Sequence, residues 1–417
     1  MPGDGATSPD HSTRAVASWV LYDTANTLFS YAVVTRYFNE WVLVQRGEPD
    51  WTVGLMSLVV SLVLIVSLPF FGAVADAIGS RKALLGAFTG LCVAMTALLG
   101  VVEAMPWPLV VAGIAVFAYN SALAHYDPLL AAVAVPERQG RVSGIGVAAG
   151  YAGVMVAIFV LGALVGADRQ AAFAPTALAF GVLAIPCLLF VREGGRRSRV
   201  APGELSVLAR QALHRTLAAV RAARRAAYGR FLLARFLYVD AVATVIAFIT
   251  VYARRTAAFD DAAVDLLLTS SIVFAILGAL LAGPAAERIG PRAVLMVTVV
   301  GVAVTLVATA LAGTGTLLWV AAPVVGASLG ALTTADRVLL MRLTDEDRRG
   351  EAFGLYALVG RLSSGVGPFL LWGGTIWLTS EALGVLSLAD ASRAALLVLA
   401  LAALAGAYVL RGVPDSI

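Results

Sequence analysis

The stretch GAVADAIGSRK, residues 72–82, recurs later in the chain as GPAAERIGPRA, residues 283–293. Four positions repeat at one fixed offset of 211 residues: glycine pairs with glycine at two of them, aspartate with glutamate at one, and arginine with arginine at one. The positions are Gly72, Asp76, Gly79 and Arg81 in the first copy, and Gly283, Glu287, Gly290 and Arg292 in the second. Because each copy follows a long apolar run, the pattern indicates that the chain contains one architecture twice.

Composition places the chain in a membrane. It has 417 residues, of which 60% are hydrophobic and only 13% are charged, whereas soluble domains are about 45–50% apolar and about 25% charged. Apolar runs of about twenty residues, the length that crosses ~30 Å of hydrocarbon as a helix, recur from end to end. The alternation typical of β-barrel strands is missing from the sequence. We therefore predict an all-α polytopic membrane protein, whose helices satisfy their own backbone hydrogen bonds.

Twelve membrane spans are predicted, in two sets of six. The first set covers residues 15–38, 52–75, 83–102, 108–134, 141–166 and 171–191. The second set covers residues 230–253, 262–284, 292–313, 315–341, 351–378 and 391–411. The predicted domains are a tail at 1–14, an N-terminal six-helix bundle at 15–191, a basic linker at 192–229, a C-terminal bundle at 230–411 and a tail at 412–417.

The arginines predict an orientation. All but one of the thirty basic residues are arginine, and ten of them lie from Arg192 to Arg230. Because basic loops stay on the cytoplasmic side, we expect this segment and both termini to face the cytoplasm of a bacterial-type plasma membrane. The segment at residues 39–51, which has Glu40, Glu48 and Asp50 against Arg46, is then a loop outside the cell. Arg254 and Arg255 are exceptions on that same side.

The later part of the linker, residues 205–227, has arginines at helical spacing beside Leu, Val and Ala. A helix of this kind can lie along the anionic cytoplasmic leaflet. A solvated helix that only joins the two bundles explains the same pattern, and the sequence leaves both interpretations open.

Other classes of protein find no support in the sequence. Cys92 and Cys187 fall inside apolar spans and lack metal-ligand spacing, so both are interpreted as buried small residues. No phosphate loop or HExxH sequence occurs and no strand-to-helix nucleophile elbow is identified, which argues against an enzyme and against an ATP-driven pump. The net charge of +4 is explained by membrane topology rather than by nucleic acid. We expect a monomer without a cofactor, whose partners are a small-molecule substrate and the lipid bilayer.

The repeated stretch resembles the loop between the second and third spans of the major facilitator superfamily, which follows the pattern GxxxDxxGxRK. The resemblance implies twelve transmembrane helices in two pseudo-symmetric six-helix bundles. It also implies that both copies of the loop are latches whose ion pairs break as the two halves rock. Gly72 would permit close helix approach, Gly79 a tight turn, and Asp76 an ion pair with an arginine. A role in topology and loop capping alone is the alternative for either copy.

Four further stretches narrow the resemblance. They are LYDTANTLF in span one, QGRVSGIGVAAGYAG leading into span five, FLLARFLYVDAVATV in span seven and FGLYALVGRLSSGVGP in span eleven. Together they resemble the unknown-major-facilitator family, which includes fungal vacuolar amino-acid effluxers and bacterial permeases. The resemblance therefore implies an amino-acid-like substrate. This chain departs from the family pattern at Thr27, where serine is usual, and at Ala241, where glycine is usual.

Charged side chains at membrane depth need a reason, because one at the bilayer centre costs at least about 2.5–3.5 kcal/mol. In span one, Trp19, Asp23 and Asn26 are spaced by four and three residues, so they share one helical face. Asp23 lies nine residues beyond Arg14, or about 13 Å along a helix, close to half-depth. Span seven carries Asp240 at a comparable depth, and span eleven carries an arginine there.

We expect these charges to line a central cavity between the two halves. An aspartate suits an ammonium group and the donor fork of an arginine suits a carboxylate, so both signs at one depth fit a zwitterion such as an amino acid or a small peptide. The candidates for proton coupling are Asp23 and Asp240, because a carboxyl group can carry a proton through the cycle. The predicted substrate-binding residues are Tyr22, Asp23, Asn26, Tyr119, Asn120, Tyr151, Tyr238, Asp240 and Arg361.

The leading prediction is a secondary active transporter of a small polar or zwitterionic metabolite, coupled to protons. Three alternatives stay open. In the first, Asp23 or Asp240 only neutralises Arg361 as a structural pair. In the second, the chain is a drug or lipophile exporter of the same fold, with a mostly apolar cavity. In the third, it is a membrane sensor without flux, which would leave the paired loops unexplained.

Overall fold

The structure is a computed structural model, and it describes residues 12–166, 168–193, 202–224, 226–312, 315–345 and 348–415. These residues are helical apart from short connections, and no strand is found among them. The predicted all-α fold is confirmed. Parts of the predicted tails and linker, residues 1–11, 194–201, 225 and 416–417, lie outside the described residues.

The described α-helices are numbered in chain order. The first eight are α1 Thr13–Phe29, α2 Tyr37–Glu40, α3 Asp50–Ile78, α4 Arg81–Leu99, α5 Trp107–Tyr126, α6 Leu130–Val133, α7 Pro136–Val165 and α8 Phe173–Phe190. The others are α9 Pro202–Ala223, α10 Ala227–Ala257, α11 Asp261–Ile289, α12 Pro291–Ala312, α13 Leu318–Arg342, α14 Arg349–Val366, α15 Gly374–Ile376 and α16 Leu388–Arg411. Runs of π-helix extend the helical path at Ser30–Arg36, Trp41–Gln45, Gly367–Gly373 and Trp377–Ala382.

Ten helical segments in the described part of the chain are long and apolar enough to cross a membrane. They correspond to ten of the twelve predicted spans. The other two predicted spans, 15–38 and 351–378, are helical too, but α-helix gives way to π-helix within each. In the second of them, α14 ends where Gly367 and Pro368 begin a π-helical run, because proline cannot donate the hydrogen bond that an α-helix needs there.

The segment predicted as an outer loop, residues 39–51, is mostly helical, and this prediction is wrong. The π-helical run Trp41–Gln45 continues the helical path of span one, and three of its apolar side chains are buried. The acid counted as a loop charge, Glu40, is only 2% exposed and forms ion pairs with Arg36 and Arg169. Only a short turn remains before α3.

Internal contacts divide the chain into two units. The first holds residues up to Trp41 together with Val63–Arg215, and in it α1 packs on α7 and α8 while α4 packs on α5 and α8. The second holds Val42–Leu62 together with residues from Thr216 onward. In it α10 packs on α14 and α16, α11 packs on α13, and α12 packs on α13 and α16. The division runs through α3 and α9, so each of these helices contributes to both units.

Glycines bring two helices of the second unit, α11 and α13, into close contact. A Cβ atom at Gly326 or Gly330 of α13 would overlap main-chain oxygens of α11, and one at Gly278 of α11 would overlap the main chain of α13. The sequence GASLG, residues 326–330, is thus a GxxxG contact of the kind that lets helices approach closely in lipid.

Candidate functional site

In the first unit, Asp23 lies half-buried on α1, where that helix packs against α7. The facing side of α7 is built from glycines. A Cβ atom at Gly146 would lie 3.1 Å from Oδ2 of Asp23, and one at Gly150 would lie 2.5 Å from the hydroxyl of Thr27. The glycines of span five therefore do more than pack, because they bring the main chain of α7 next to a carboxylate. Within the described residues, no hydrogen bond reaches the carboxylate oxygens of Asp23.

Asn26 lies three residues further along the same helical face and is only 3% exposed. Neither its amide nitrogen nor its amide oxygen has a hydrogen-bond partner among the residues that the structure describes. The indole nitrogen of Trp19, one turn before Asp23, is also buried without a partner there. A buried polar group left unpaired costs about 1–3 kcal/mol. Folding alone does not explain this face, which offers unsatisfied donors and an unsatisfied acceptor beside a carboxylate.

Aromatic rings hold this part of α1 in place. The ring of Tyr126 stacks on those of Trp19 and Tyr22, at centroid distances of 4.8 and 4.7 Å. Its hydroxyl donates a hydrogen bond to the main-chain oxygen of Trp19 at 2.9 Å. The hydroxyl of the buried Tyr22 lies 2.6 Å from that of Thr89, so its polar atom is already engaged. The Tyr22 side chain therefore joins α1 to α4.

The other predicted binding residues of the first unit lie on α5 and α7. Tyr119 stacks on Phe29 at 4.8 Å, and the side-chain amide of Asn120 donates to the main-chain oxygen of Val116 at 2.8 Å. Tyr151 is half-buried on α7 and lies within electrostatic range of Asp23. Of these three, Tyr151 is the one that the structure associates with the carboxylate.

In the second unit, Asp240 is 2% exposed on α10 and accepts a hydrogen bond from the main-chain N–H of Gly367 at 2.7 Å. Gly367 begins the π-helical run of span eleven, where the regular main-chain ladder is interrupted. Arg361 is half-buried on α14, six residues before this point. Among the described residues, the bonded partner of Asp240 is thus the main chain of span eleven and not Arg361.

A second buried cluster of the same unit was not assigned from the sequence. The guanidinium Nε of Arg235 donates to Asp336 at 3.0 Å, and the hydroxyl of Tyr238 also donates to Asp336, which is 1% exposed. The guanidinium lies 3.6 Å from the ring centroid of Tyr356 and donates to the main-chain oxygen of that residue. Tyr238, predicted to bind substrate, therefore belongs to an ion-pair cluster.

The repeated loops contain the predicted turns but not the predicted close approach. Gly79 and Gly290 have φ values of 69° and 86°, in the region that favours glycine, and each ends a long helix. Around Gly72 and Gly283, in contrast, no atom of the described residues lies within 4 Å of an added Cβ atom. The expectation of close helix approach at Gly72 is therefore wrong for this structure.

The two loops also differ in their charges. The guanidinium of Arg81 donates to the carboxylate of Asp76 at 2.7 Å, in an exposed ion pair within the first loop. In the second loop, Glu287 and Arg292 form no such pair within the described residues.

Glu193, which follows α8, holds the first loop in a way that the sequence did not reveal. Its carboxylate accepts hydrogen bonds from the hydroxyl of Ser80 and from the main-chain N–H groups of Arg81 and Lys82, at 2.8 to 3.0 Å. The ammonium group of Lys82 donates in turn to the main-chain oxygen of Val191 at 2.6 Å. A negative charge is favourable at the first turn of a helix, here α4.

The start of α3 carries a third buried charge cluster, within the second unit. Asp50 is 2% exposed and accepts hydrogen bonds from the guanidinium of Arg255 and from the indole of Trp372, both at 2.8 Å. Arg254 pairs with Asp261. Both arginines that were exceptions to the predicted orientation are thus neutralised by aspartates.

Comparison with known proteins identifies the family. A family model described as Major Facilitator Superfamily matches residues 17–368 and, in a second match, residues 231–416. The chain belongs to the major facilitator superfamily. A curated relative, the uncharacterized MFS-type transporter YxiO of Bacillus subtilis (strain 168), is 27% identical over 380 residues, which cover 86% of this chain and 88% of that protein.

Solved structures agree on the fold. The nucleoside transporter NupG superposes with a TM-score of 0.75 at 15% identity, covering 96% of this chain and 99% of that one. A POT family transporter in complex with 5-aminolevulinic acid gives a TM-score of 0.73 at 11% identity, covering 97% of each chain. Together with the family match, this makes the protein a membrane transporter of the major-facilitator type.

Proposed function

We propose that this protein is a secondary active transporter of a small zwitterionic metabolite of the amino-acid class, coupled to protons. The observation that carries the proposal is the face of α1 on which the half-buried carboxylate of Asp23 lies beside the unpaired amide of Asn26. A carboxylate attracts an ammonium group, and an amide supplies both a donor and an acceptor for a carboxylate or carbonyl. An apolar drug would leave these groups unsatisfied, which disfavours a lipophile exporter.

The roles of the residues follow from their contacts. Asp23 and Asn26 contact the substrate, with Tyr151 beside them, while Tyr22 positions α1. In the second half, Arg361 is a substrate-binding residue and Asp240 carries the proton. Support for the last role comes from the hydrogen bond between Asp240 and Gly367, because a carboxylate accepts an N–H bond more strongly when ionised than when protonated. Protonation would then loosen span eleven at its π-helical run.

The resemblance of spans one, five, seven and eleven to a family that includes vacuolar amino-acid effluxers favours the same substrate class. The fold accommodates such molecules, since a structure of the same fold holds 5-aminolevulinic acid. The arginine distribution supports a bacterial-type plasma membrane with both termini in the cytoplasm.

Uptake into proteoliposomes tests the proposal. The purified protein is given labelled amino acids and short peptides, with and without an imposed pH gradient. We expect uptake of at least one zwitterion to rise with the gradient. Asp23→Asn should raise the half-saturating concentration by roughly 10–100-fold, as expected for the loss of a charge-assisted contact. The matched control is Glu103→Gln, which removes an exposed charge between α4 and α5.

The outcomes separate the alternatives. If Asp23→Asn and Asn26→Ala transport like the unaltered chain, the proposed site is wrong. Transport of lipophilic cations without any zwitterion flux would instead establish the drug exporter, and the absence of all flux would favour a sensor.

A further inference from the structure

Helix α9 combines positive charge with exposed apolar side chains. Between Pro202 and Arg224 the chain has four arginines and one glutamate, and this helix is absent from the described segments that are apolar enough to span a membrane. Yet Leu213, Leu217 and Val220 are 53%, 43% and 38% exposed. Their spacing of four and three residues places them on one helical face.

The arginines are distributed unevenly around this apolar stripe. Arg210 precedes Leu213 by three residues, Arg221 follows Leu217 by four, and Arg224 follows Val220 by four, so all three lie close to the stripe. The fourth arginine, Arg215, lies on the far side of the helix, since a step of two residues turns an α-helix by about 200°. A solvated linker helix has no physical reason to gather exposed leucines on the arginine-rich side.

A tight turn fixes the end of α9 beside a membrane-spanning helix. The main-chain N–H of Ala226 donates to Ala223 at 3.0 Å, and that of Gly229, in the first turn of α10, donates to Ala226 at 3.0 Å. A Cβ atom at Gly229 would overlap the main-chain oxygen of Ala223, so the chain turns back closely at this glycine. Because α10 spans the membrane, the last turn of α9 is held near the surface of the bilayer.

We propose that α9 lies on the surface of the bilayer that the chain itself spans, with the stripe of Leu213, Leu217 and Val220 among the headgroups and with Arg210, Arg221 and Arg224 against anionic phospholipid. Burial of the stripe removes apolar surface from water, and the arginines add electrostatic attraction to an anionic leaflet. A soluble acidic partner would satisfy the arginines, but the tight turn keeps the helix where lipid already meets it. This inference rests on the membrane-spanning fold and not on the proposed substrate.

The experiment uses the full chain in lipid nanodiscs. A single cysteine is introduced by Leu213→Cys or, as the matched control on the opposite face, by Gln211→Cys, and is labelled with an environment-sensitive fluorophore. The native cysteines Cys92 and Cys187 are buried, and the unaltered chain gives the background. We expect the label at position 213 to show blue-shifted emission and quenching by lipid-attached spin labels, while the label at position 211 stays in water.

Lipid composition and charge decide the rest. Quenching at position 213 should be stronger in phosphatidylcholine mixed with phosphatidylglycerol than in phosphatidylcholine alone, and high salt should reduce it. Arg210→Gln combined with Arg221→Gln should shift the equilibrium towards undocked α9 by roughly tenfold or more in the mixed lipid, whereas Arg215→Gln should leave it unchanged. Unaltered thermal unfolding of the variants confirms that they fold.

Three results would overturn the inference. Equal quenching at positions 213 and 211 would show that the stripe does not face lipid. Equal quenching in the two lipid mixtures would remove the role of anionic headgroups. Protection of the label at position 213 only after addition of cell extract would assign the surface to a soluble partner instead.

Discussion

Gly367 has no room for a side chain. A Cβ atom there would overlap the hydroxyl of Thr244 and lie 2.7 Å from Oδ1 of Asp240, and both of these α10 side chains are short and buried. We expect Gly367→Ala to lower the free energy of unfolding by about 1–3 kcal/mol, because overpacking forces buried groups apart. Thermal unfolding of the purified protein in detergent measures the change as a lower Tm.

The matched control for this substitution is Gly354→Ala on α14. No atom of the described residues lies within 4 Å of a Cβ atom at Gly354, and alanine in a helix is favoured over glycine by about 0.5–1 kcal/mol. We therefore expect an unchanged or slightly higher Tm. Equal losses of Tm for the two substitutions would contradict the close contact between Gly367 and Asp240.

At the scale of single residues, the sequence predicted which side chains are candidates for function but not which groups they contact. Asp23 and Asp240 stood out because charge in an apolar run is visible without a structure. The partner of Asp240 is a main-chain N–H of a π-helical run, and no pattern of side chains in the sequence predicts such a hydrogen bond. Arg235 and Asp336 were equally visible as charges, but 101 residues separate them, and only the packing of α10 brings them together.

Among the elements, α4 depends on a residue outside itself. The carboxylate of Glu193 accepts hydrogen bonds from Ser80 and from two N–H groups of the first turn of α4. These N–H groups have no partner within the helix. We expect Glu193→Ala to lower the free energy of unfolding by about 1–2 kcal/mol, as for the loss of a helix cap, which a lower Tm in detergent would report.

Asp76→Ala serves as the comparison for Glu193→Ala. It removes the other carboxylate of the same loop, but its ion pair with Arg81 is exposed, with Asp76 at 66%. Exposed pairs contribute about 0–1 kcal/mol, so the Tm should fall less than for Glu193→Ala. A larger loss with Asp76→Ala would show that the pair, and not Glu193, holds the loop.

The helices themselves were predictable because a membrane requires long apolar runs, and ten predicted spans match helical segments of the structure. The failure at residues 39–51 has a physical cause. Glu40 and Asp50 were interpreted as charges in a solvated loop, yet arginines from distant parts of the chain neutralise both in buried positions. In the sequence these two acids indicated solvent, whereas in the fold they are buried and paired with arginines.

The whole molecule repeats its turns more faithfully than its contacts. Gly79 and Gly290 both end helices with positive φ, as the sequence repeat predicted. Each repeat also ends in an acid near the start of its third predicted span, which is α4 in the first repeat and α12 in the second. Glu193 caps α4, and Oδ1 of Asp415 would lie 3.4 Å from a Cβ atom at Gly290, the residue before α12. The division into bundles at 15–191 and 230–411 stays a prediction.

For the complete transport cycle, proton coupling and substrate exchange are separable. If Asp240 carries the proton, Asp240→Asn should abolish uptake driven by a pH gradient, because the amide cannot carry a proton across the membrane with the substrate. Exchange of labelled for unlabelled substrate across the proteoliposome membrane requires only that the loaded protein change conformation, so it should persist. Loss of exchange to the same extent as uptake would contradict a coupling role and assign Asp240 to binding or to the conformational change itself.

Function at this scale was predictable only in outline. The paired loops indicated the superfamily, since turn glycines and basic loops are local features that can be recognised in a single sequence. In the proposed function the substrate is recognised by side chains such as Asn26, and the lack of hydrogen-bond partners for its amide among the described residues becomes apparent only in the folded structure.

Lys82 is the chain's single lysine, and its ammonium group is bonded to the main-chain oxygen of Val191 in the loop that Glu193 holds. Amine-directed reagents therefore meet one side chain in the whole protein. The rate at which Lys82 is acylated therefore measures how often this loop opens. Mass spectrometry can follow that rate in the unaltered chain.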